Sequence, residues 1–177
     1  MNLRVQFNTV NVDWDVVTGI LQKAGMAYQT AEIHKRAFDN SYTVVFVFDD
    51  EKLIGFGRAL SDGEYQAAIY DVAVLPDYQG KGIGKMILQN IIKNTPTCNY
   101  ILYASPGKEK FYEKENFRLL KTGMALFIDS ERMQKKGFTE YENQVKTTNC
   151  KHISYVIVRM LLVFSCIVYK SRKIKNL

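Results

Sequence analysis

One stretch limits the fold of this chain more than any other: Asp71-Val72-Ala73-Val74-Leu75-Pro76-Asp77-Tyr78-Gln79-Gly80-Lys81-Gly82-Ile83-Gly84-Lys85. Its first part is rich in Val and reads as a buried strand, which Pro76 and Asp77 break. From Ile83 onward Met86, Ile87, Leu88, Ile91 and Ile92 give a helix with a broad apolar face, ended by Asn94-Thr95-Pro96. A strand that runs through a glycine-rich turn into a helix belongs to a mixed α/β fold. It also makes an anion site. The first N–H groups of a helix lack intrahelical partners, the macrodipole adds partial positive charge, and glycines let a phosphate come close.

The flanking sequence fills in the rest of the layout. Leu3, Val5 and Phe7 alternate with polar residues as in a half-buried strand. Asp13 offers an N-cap to a helix with Trp14, Val17, Ile20, Leu21 and Ala24 on one face, stopped by Gly25. A shorter helix starts near Thr30 and ends near Asn40-Ser41. Residues 42–48, 53–60 and 65–75 read as three hairpin-linked strands, joined through Asp49-Asp50-Glu51-Lys52 and Ser61-Asp62-Gly63. After the long helix, residues 100–104 read as a strand and 108–115 as a short helix. Residues 117–120 and 124–128 read as two closing strands. Hairpins followed by a strand-helix-strand unit give a sheet that is antiparallel first and parallel around the later helix.

The charge balance narrows the function. The chain of 177 residues carries 24 Lys/Arg against 18 Asp/Glu, but residues 141–177 hold 7 and 1 of these, leaving 17 of each in 1–140. A domain that is neutral overall lacks the positive field that drives phosphate-backbone binding, so nucleic acid is not expected as a partner. Cys98, Cys150 and Cys166 are scattered and odd in number, which fits a reducing compartment and neither a zinc site nor a disulfide framework. No metal is expected. The N-terminus shows no signal-peptide core, so the expected location is cytoplasmic.

Two familiar phosphate loops fail on spacing. A Walker loop ends in Gly-Lys-Ser/Thr, whereas Lys85 is followed by Met86; a dinucleotide fingerprint needs G-x-G-x-x-G, whereas Gly80, Gly82 and Gly84 alternate strictly. What matches is Gln79-x-x-Gly82-x-Gly84 after Val72-Ala73-Val74 and Pro76. This resembles the pyrophosphate-binding motif of the GNAT superfamily of acetyl-CoA-dependent N-acetyltransferases. Phe111-Tyr112-Glu113-Lys114-Glu115-Asn116-Phe117 resembles the family's later F-Y-E-K-x-G-F element, with Asn116 in place of glycine. Asn tolerates the left-handed conformation such a helix-ending glycine supplies.

The resemblance implies a fold and a set of roles for residues 1–140. The fold is α/β (α+β): a mixed, mostly antiparallel central sheet with a splayed parallel strand pair, flanked by helices. The activity is transfer of an acetyl group from acetyl-CoA to a primary amine, by direct attack in a ternary complex. Backbone N–H groups of Gln79, Gly80, Lys81, Gly82, Ile83, Gly84 and Lys85 would surround the pyrophosphate, with Lys81 and Lys85 adding charge. Strand Val72, Ala73 and Val74 would part from residues 100–104, so that the pantetheine arm pairs with exposed strand groups and the thioester carbonyl accepts a backbone N–H. Tyr112 would protonate the departing thiolate. Ser105 stands where many relatives carry an asparagine that contacts the cofactor.

A base must also deprotonate the substrate ammonium, and the nearest candidate is Asp71, with Glu64 acting through water as the second. Strict strand alternation would put Asp71 on the opposite face from Tyr70 and Val72, where it would instead cap a turn or pair with a lysine. His34 reads as a helix-surface residue without a role. The acceptor, a small-molecule or peptide amine, would be contacted by residues 26–31 and the last strands; a homodimer is compatible with this layout. The competing reading is a CoA-binding sensor or interaction module that kept the cofactor slot without turnover. Residues 141–177 form a basic, apolar extension that the family core does not need. Its run 153–169 has the length of the shortest membrane spans, but an Arg at the centre of a span costs about 2.5–3.5 kcal/mol. It is expected to be an appendage first and a membrane anchor second.

Overall fold

A computed structural model describes residues 1–95 and 97–140; the expectations for residues 141–177 lie outside these. The elements of the first part run β1 (Leu3–Gln6), α1 (Trp14–Lys23), α2 (Ala31–Asp39), β2 (Thr43–Asp49), β3 (Lys52–Ser61), β4 (Gln66–Val74), a 3-10 turn (Pro76–Tyr78), α3 (Ile83–Asn94), β5 (Asn99–Ile101) and α4 (Glu109–Glu113). The chain divides into two units, Met1–Ala125 and Leu126–Leu177. In the described part of the second, α5 (Ser130–Lys135) is capped by the Asp129 carboxylate, which accepts the N–H of Arg132.

The first unit is built on a five-stranded sheet in the order β1-β2-β3-β4-β5. The first three pairings are antiparallel and β4 with β5 is parallel. The parallel pair exists because α3 carries the chain back across the sheet, whereas β2 to β3 and β3 to β4 are joined by turns too short for a crossover, and β1 reaches β2 through α1 and α2. The β3–β4 turn holds because the Asp62 side chain accepts the N–H groups of Glu64, Tyr65 and Gln66.

Each face of the sheet carries its own core. On one side Val17, Ile20 and Leu21 of α1 and Phe38 of α2 meet Phe46 and Phe56. Phe38 lies 5.3 Å from Phe46 and 5.7 Å from Phe56, centroid to centroid, with Trp14 edge-on to Phe38 and Phe46. On the other side Ile83, Ile87, Leu88 and Ile91 of α3 pack on Val45, Val47, Ile54 and Ile69. Burying each such side chain stabilises the fold by about 1.5–3 kcal/mol relative to exposure. Asp13 caps α1 as expected, accepting the N–H groups of Asp15 and Val16.

Two expectations are corrected here. Residues 117–120 and 124–128 do not form closing strands. Among the described residues the backbone after Asn116 has no strand, and Leu119, Leu120 and Met124 are exposed. Apolar patterning can mark a strand, but a strand forms only where a neighbour offers a ladder, and β5, at the edge of the sheet, is only three residues long. His34 is not a surface residue either: it is buried at 6% exposure, because the face of α2 that carries Phe38 also carries position 34, one turn earlier.

Candidate active site

The start of α3 keeps its amides available. Gly82 is the N-cap, with φ at +83°, and the first intrahelical bond is the Met86 N–H to the Gly82 carbonyl. None of the N–H groups of Gly80, Lys81, Gly82, Ile83, Gly84 or Lys85 donates a hydrogen bond of good geometry to another described residue. Gln79 is different. Its N–H is taken by the Pro76 carbonyl at 3.1 Å and its side chain donates to the Val74 carbonyl at 3.0 Å, so it holds the turn and the run of available amides begins at Gly80.

The lysines of the loop are partly engaged. Lys81 lies over the Tyr78 ring, 5.2 Å from its centroid. Lys85 makes an ion pair of 3.0 Å with Glu115, to which Gln89 also donates. That contact straps α3 to the turn after α4 and fixes the position of Tyr112 relative to the glycine loop. The same strap is reinforced by packing: a Cβ on Gly84 would come within 3.3 Å of the Phe111 ring, so glycine there lets α4 lie close against α3.

Tyr112 is packed between two aromatic rings. Its ring is edge-on to Phe111 at 4.9 Å and to Phe117 at 5.9 Å, and burial pushes its phenol above the ordinary tyrosine range. The phenol therefore stays protonated at neutral pH. Its hydroxyl makes no hydrogen bond to a described residue, which leaves it free to meet a ligand. Asn116 does what the absent glycine would do, with φ at +67°. The Phe117 N–H reaches the Tyr112 carbonyl and the Asn116 N–H the Glu113 carbonyl, the paired bonds of a helix-ending Schellman turn.

β4 opens where the resemblance said it would. Its ladder with β5 covers Gln66↔Asn99, Ala67↔Tyr100 and Ala68↔Ile101 and then stops, while its ladder with β3 continues to Val74. Val72, Ala73 and Val74 therefore lie beyond the end of the parallel pairing. Val72, Val74 and Tyr112 all pack on the α3-side core. Ser105 lies in the turn before α4, where its carbonyl accepts the Lys108 N–H at 2.9 Å.

Asp71 does not follow strand alternation. The β3–β4 register shifts between Phe56 and Arg58, and Asp71 takes a left-handed φ of +54°. This is a bulge. Ile69, Val72 and Val74 pack toward α3 and Ala73 toward α1 and α2, so the extra residue puts Tyr70 and Asp71 together on the α1–α2 side instead of on opposite faces. The partner of Asp71 is an arginine: Arg58 Nε lies 2.5 Å from Oδ2. Arg58 is itself held between the Phe38 and Tyr70 rings, 5.7 and 5.3 Å from their centroids, and donates to Ser41 Oγ. The second carboxylate oxygen of Asp71 accepts no hydrogen bond from a described residue. Glu64 lies in the turn that opens β4, at the far end of that strand from the glycine loop, and is not brought to Asp71.

His34 joins the same neighbourhood. Its Nε2 accepts the Gln29 N–H at 2.9 Å, tying the α1–α2 connection to α2. Burial lowers its pKa first of all, the Arg58 charge adds to this and the Asp71 carboxylate opposes it. The folded protein thus resists protonation of His34 more than the unfolded chain does. Fold stability is therefore at its full value above pH ~6.5 and falls as the pH drops below it. A series of melting curves from pH 7.5 to 5.5 is expected to show this loss, and His34→Gln to flatten it.

Arg58, Tyr70 and Glu115 were not legible as site residues. Their roles depend on strand register and on how α4 meets α3, neither of which leaves a local pattern.

The likeness to known proteins agrees with this geometry. The family model described as "Acetyltransferase (GNAT) family" matches residues 12–117. An uncharacterized N-acetyltransferase ycf52 of Gracilaria tenuistipitata var. liui is 34% identical over 128 residues, which is 66% of this chain and 68% of that protein. The protein named serotonin N-acetyltransferase 2, chloroplastic, of Oryza sativa subsp. japonica is 26% identical over 141 residues, covering 73% of this chain and 70% of its own length. A crystal structure of a protein of unknown function from meticillin-resistant Staphylococcus aureus superposes with a TM-score of 0.63 at 28% identity, covering 71% of this chain and 98% of that one. With loop, Tyr112 element and opened strand pair in the expected order, this chain belongs to the GNAT family of acetyltransferases.

Proposed function

We propose that the chain transfers the acetyl group of acetyl-CoA to a primary amine by direct attack in a ternary complex. The observation that carries this reading is the run of six available N–H groups from Gly80 to Lys85, beside the edge of β4 left open after Ala68. The two features suit the two ends of one ligand. The amides of residues 80–85 would hold the diphosphate, and the freed edge of β4 at Val72, Ala73 and Val74 would pair with the amide-bearing arm.

The chain's own residues then have separable tasks. A backbone N–H of β4 near Val72 to Val74 receives the thioester carbonyl oxygen as negative charge builds on it. Asp71 offers its unengaged oxygen to the acceptor ammonium and takes its proton, Arg58 keeping the carboxylate oriented. As the new N–C bond forms and the C–S bond breaks, Tyr112 gives its proton to the leaving sulfur, and the second proton lost from the attacking nitrogen leaves to solvent, from which Tyr112 is reprotonated. The rice relative's name specifies serotonin, a primary amine, which supports an amine acceptor here.

The test is a screen of CoA release over diverse amines with the full chain. Thiol release well above the amine-free rate is expected for at least one primary amine. Acetyl-CoA binding with background release across the panel would replace this reading with that of a CoA-binding module, in which Arg58 has permanently engaged Asp71.

A further inference from the structure

The connection between α1 and α2 is pinned at two places. At its start the Met26 N–H reaches the Leu21 carbonyl at 3.0 Å, and the Met26 side chain packs on the core shared by α1 and α2. At its end the Gln29 N–H is accepted by His34 Nε2 at 2.9 Å. Ala27 and Tyr28, between the pins, are exposed. An imidazole nitrogen accepts only through its lone pair, so the neutral ring of His34 carries its proton on Nδ1. A proton added at Nε2 sets two donors face to face and breaks the second pin.

α2 itself does not depend on that bond. Phe38 is buried, and Ser41, just past the helix, donates to the Ala37 carbonyl and accepts from Arg58. Loss of the bond therefore releases residues 27–29 and leaves the helix in place. A buried imidazolium is costly, and opening a short connection to let water reach it costs less than unfolding the domain.

The surroundings of this pin give it a role. His34 lies within the fields of Arg58 on β3 and Asp71 on β4. The other titratable groups near it in the chain, Lys23, Tyr28, Glu32, Lys35 and Arg36, are exposed, and Lys35 is paired with Asp39. Asp71 turns to the same α1–α2 side, so the residues hung on His34 border the approach to the carboxylate that would take the acceptor's proton.

We infer that His34 is a positioning residue for the acceptor: neutral, it holds residues 27–29 as a wall beside Asp71, and protonated it lets them go. The inference rests on the acetyltransferase reading given above.

The experiment has two arms, both with the full chain at pH 7.5 and 5.0. Amide hydrogen exchange, corrected for its intrinsic pH dependence, is expected to show protection over residues 24–30 falling about threefold or more at pH 5.0 while residues 83–94 stay protected. His34→Gln, whose amide oxygen takes the Gln29 N–H without titrating, is expected to show no such fall. The second arm measures kcat and KM for n-butylamine and 2-phenylethylamine at saturating acetyl-CoA. The supply of deprotonated amine drops with pH equally for both enzymes, so the ratio of wild type to His34→Gln isolates the histidine. That ratio in kcat/KM is expected to fall about threefold or more at pH 5.0, through KM for the amine, with the KM for acetyl-CoA unmoved. Where His34→Gln fails to fold, the comparison of 24–30 with 83–94 in the wild type still decides. Equal protection of 24–30 at both pH values, loss of 24–30 and 83–94 together, a flat ratio, or acetyl-CoA binding with turnover of neither amine would overturn the role of His34 while leaving the CoA site intact. Absence of acetyl-CoA binding would overturn the acetyltransferase reading, and this inference with it.

Discussion

Replacing Gly82 by Asp is expected to weaken acetyl-CoA binding at least about 100-fold, a loss of about 2.7 kcal/mol, while the domain stays folded. The backbone at Gly82 has φ +83°, and a Cβ there would meet no atom within 4 Å. Asp is among the side chains that best tolerate a left-handed conformation, so the backbone strain of the change is held to about 1–2 kcal/mol and the domain is expected to stay folded. It does place a carboxylate among the amides of residues 80–85, where a diphosphate would otherwise gather. Gly84→Asp is a poorer probe, because its Cβ would crowd the Phe111 ring at 3.3 Å and so disturb packing as well as the amides. Lys81→Glu provides the comparison, since it reverses charge at an exposed side chain without backbone strain and is expected to weaken binding less. Isothermal titration with acetyl-CoA, alongside a melting curve for each variant, separates the loss of the site from the loss of the fold.

Tyr112→Phe carries the second large effect. Removing one hydroxyl from a ring packed between Phe111 and Phe117 leaves the packing intact, and that hydroxyl makes no hydrogen bond to a described residue. Turnover is expected to fall by about 10²–10⁴-fold, the usual contribution of a positioned proton donor, with acetyl-CoA affinity unchanged. The pH profile adds a readout that a packing role would not produce. Burial raises the Tyr112 pKa, so the acid form persists beyond the ordinary phenol value of about 10; the wild-type rate should decline only above that, and the variant should lack this alkaline limb. A variant that loses affinity and turnover together would make Tyr112 a wall of the site and not its acid.

Much of this arrangement could be read in the residues. The strand-turn-helix of residues 71–85 and the Phe111-to-Phe117 element are contiguous, and contiguous elements advertise themselves through turn chemistry and helical spacing. Asn116 in the left-handed region and the Asp13 cap are local physics of the same kind. Asp71 shows where such reading stops. A bulge depends on the partner strand, so strict alternation placed Asp71 on the wrong face and offered it a lysine, when the register gives it Arg58 across β3 and β4. His34 failed similarly, since its burial depends on which face of α2 meets the sheet. The two closing strands were misread because an apolar run says nothing of whether an edge is there to receive it.

The central claim is that the amides of residues 80–85 cradle the diphosphate of the acyl carrier. A crystal structure of the full chain soaked with CoA tests it most directly. The account predicts diphosphate oxygens about 2.7–3.2 Å from several of these N–H groups, with the arm running along the edge of β4 toward Tyr112. A diphosphate bound at any other place, with these amides facing solvent, would contradict it.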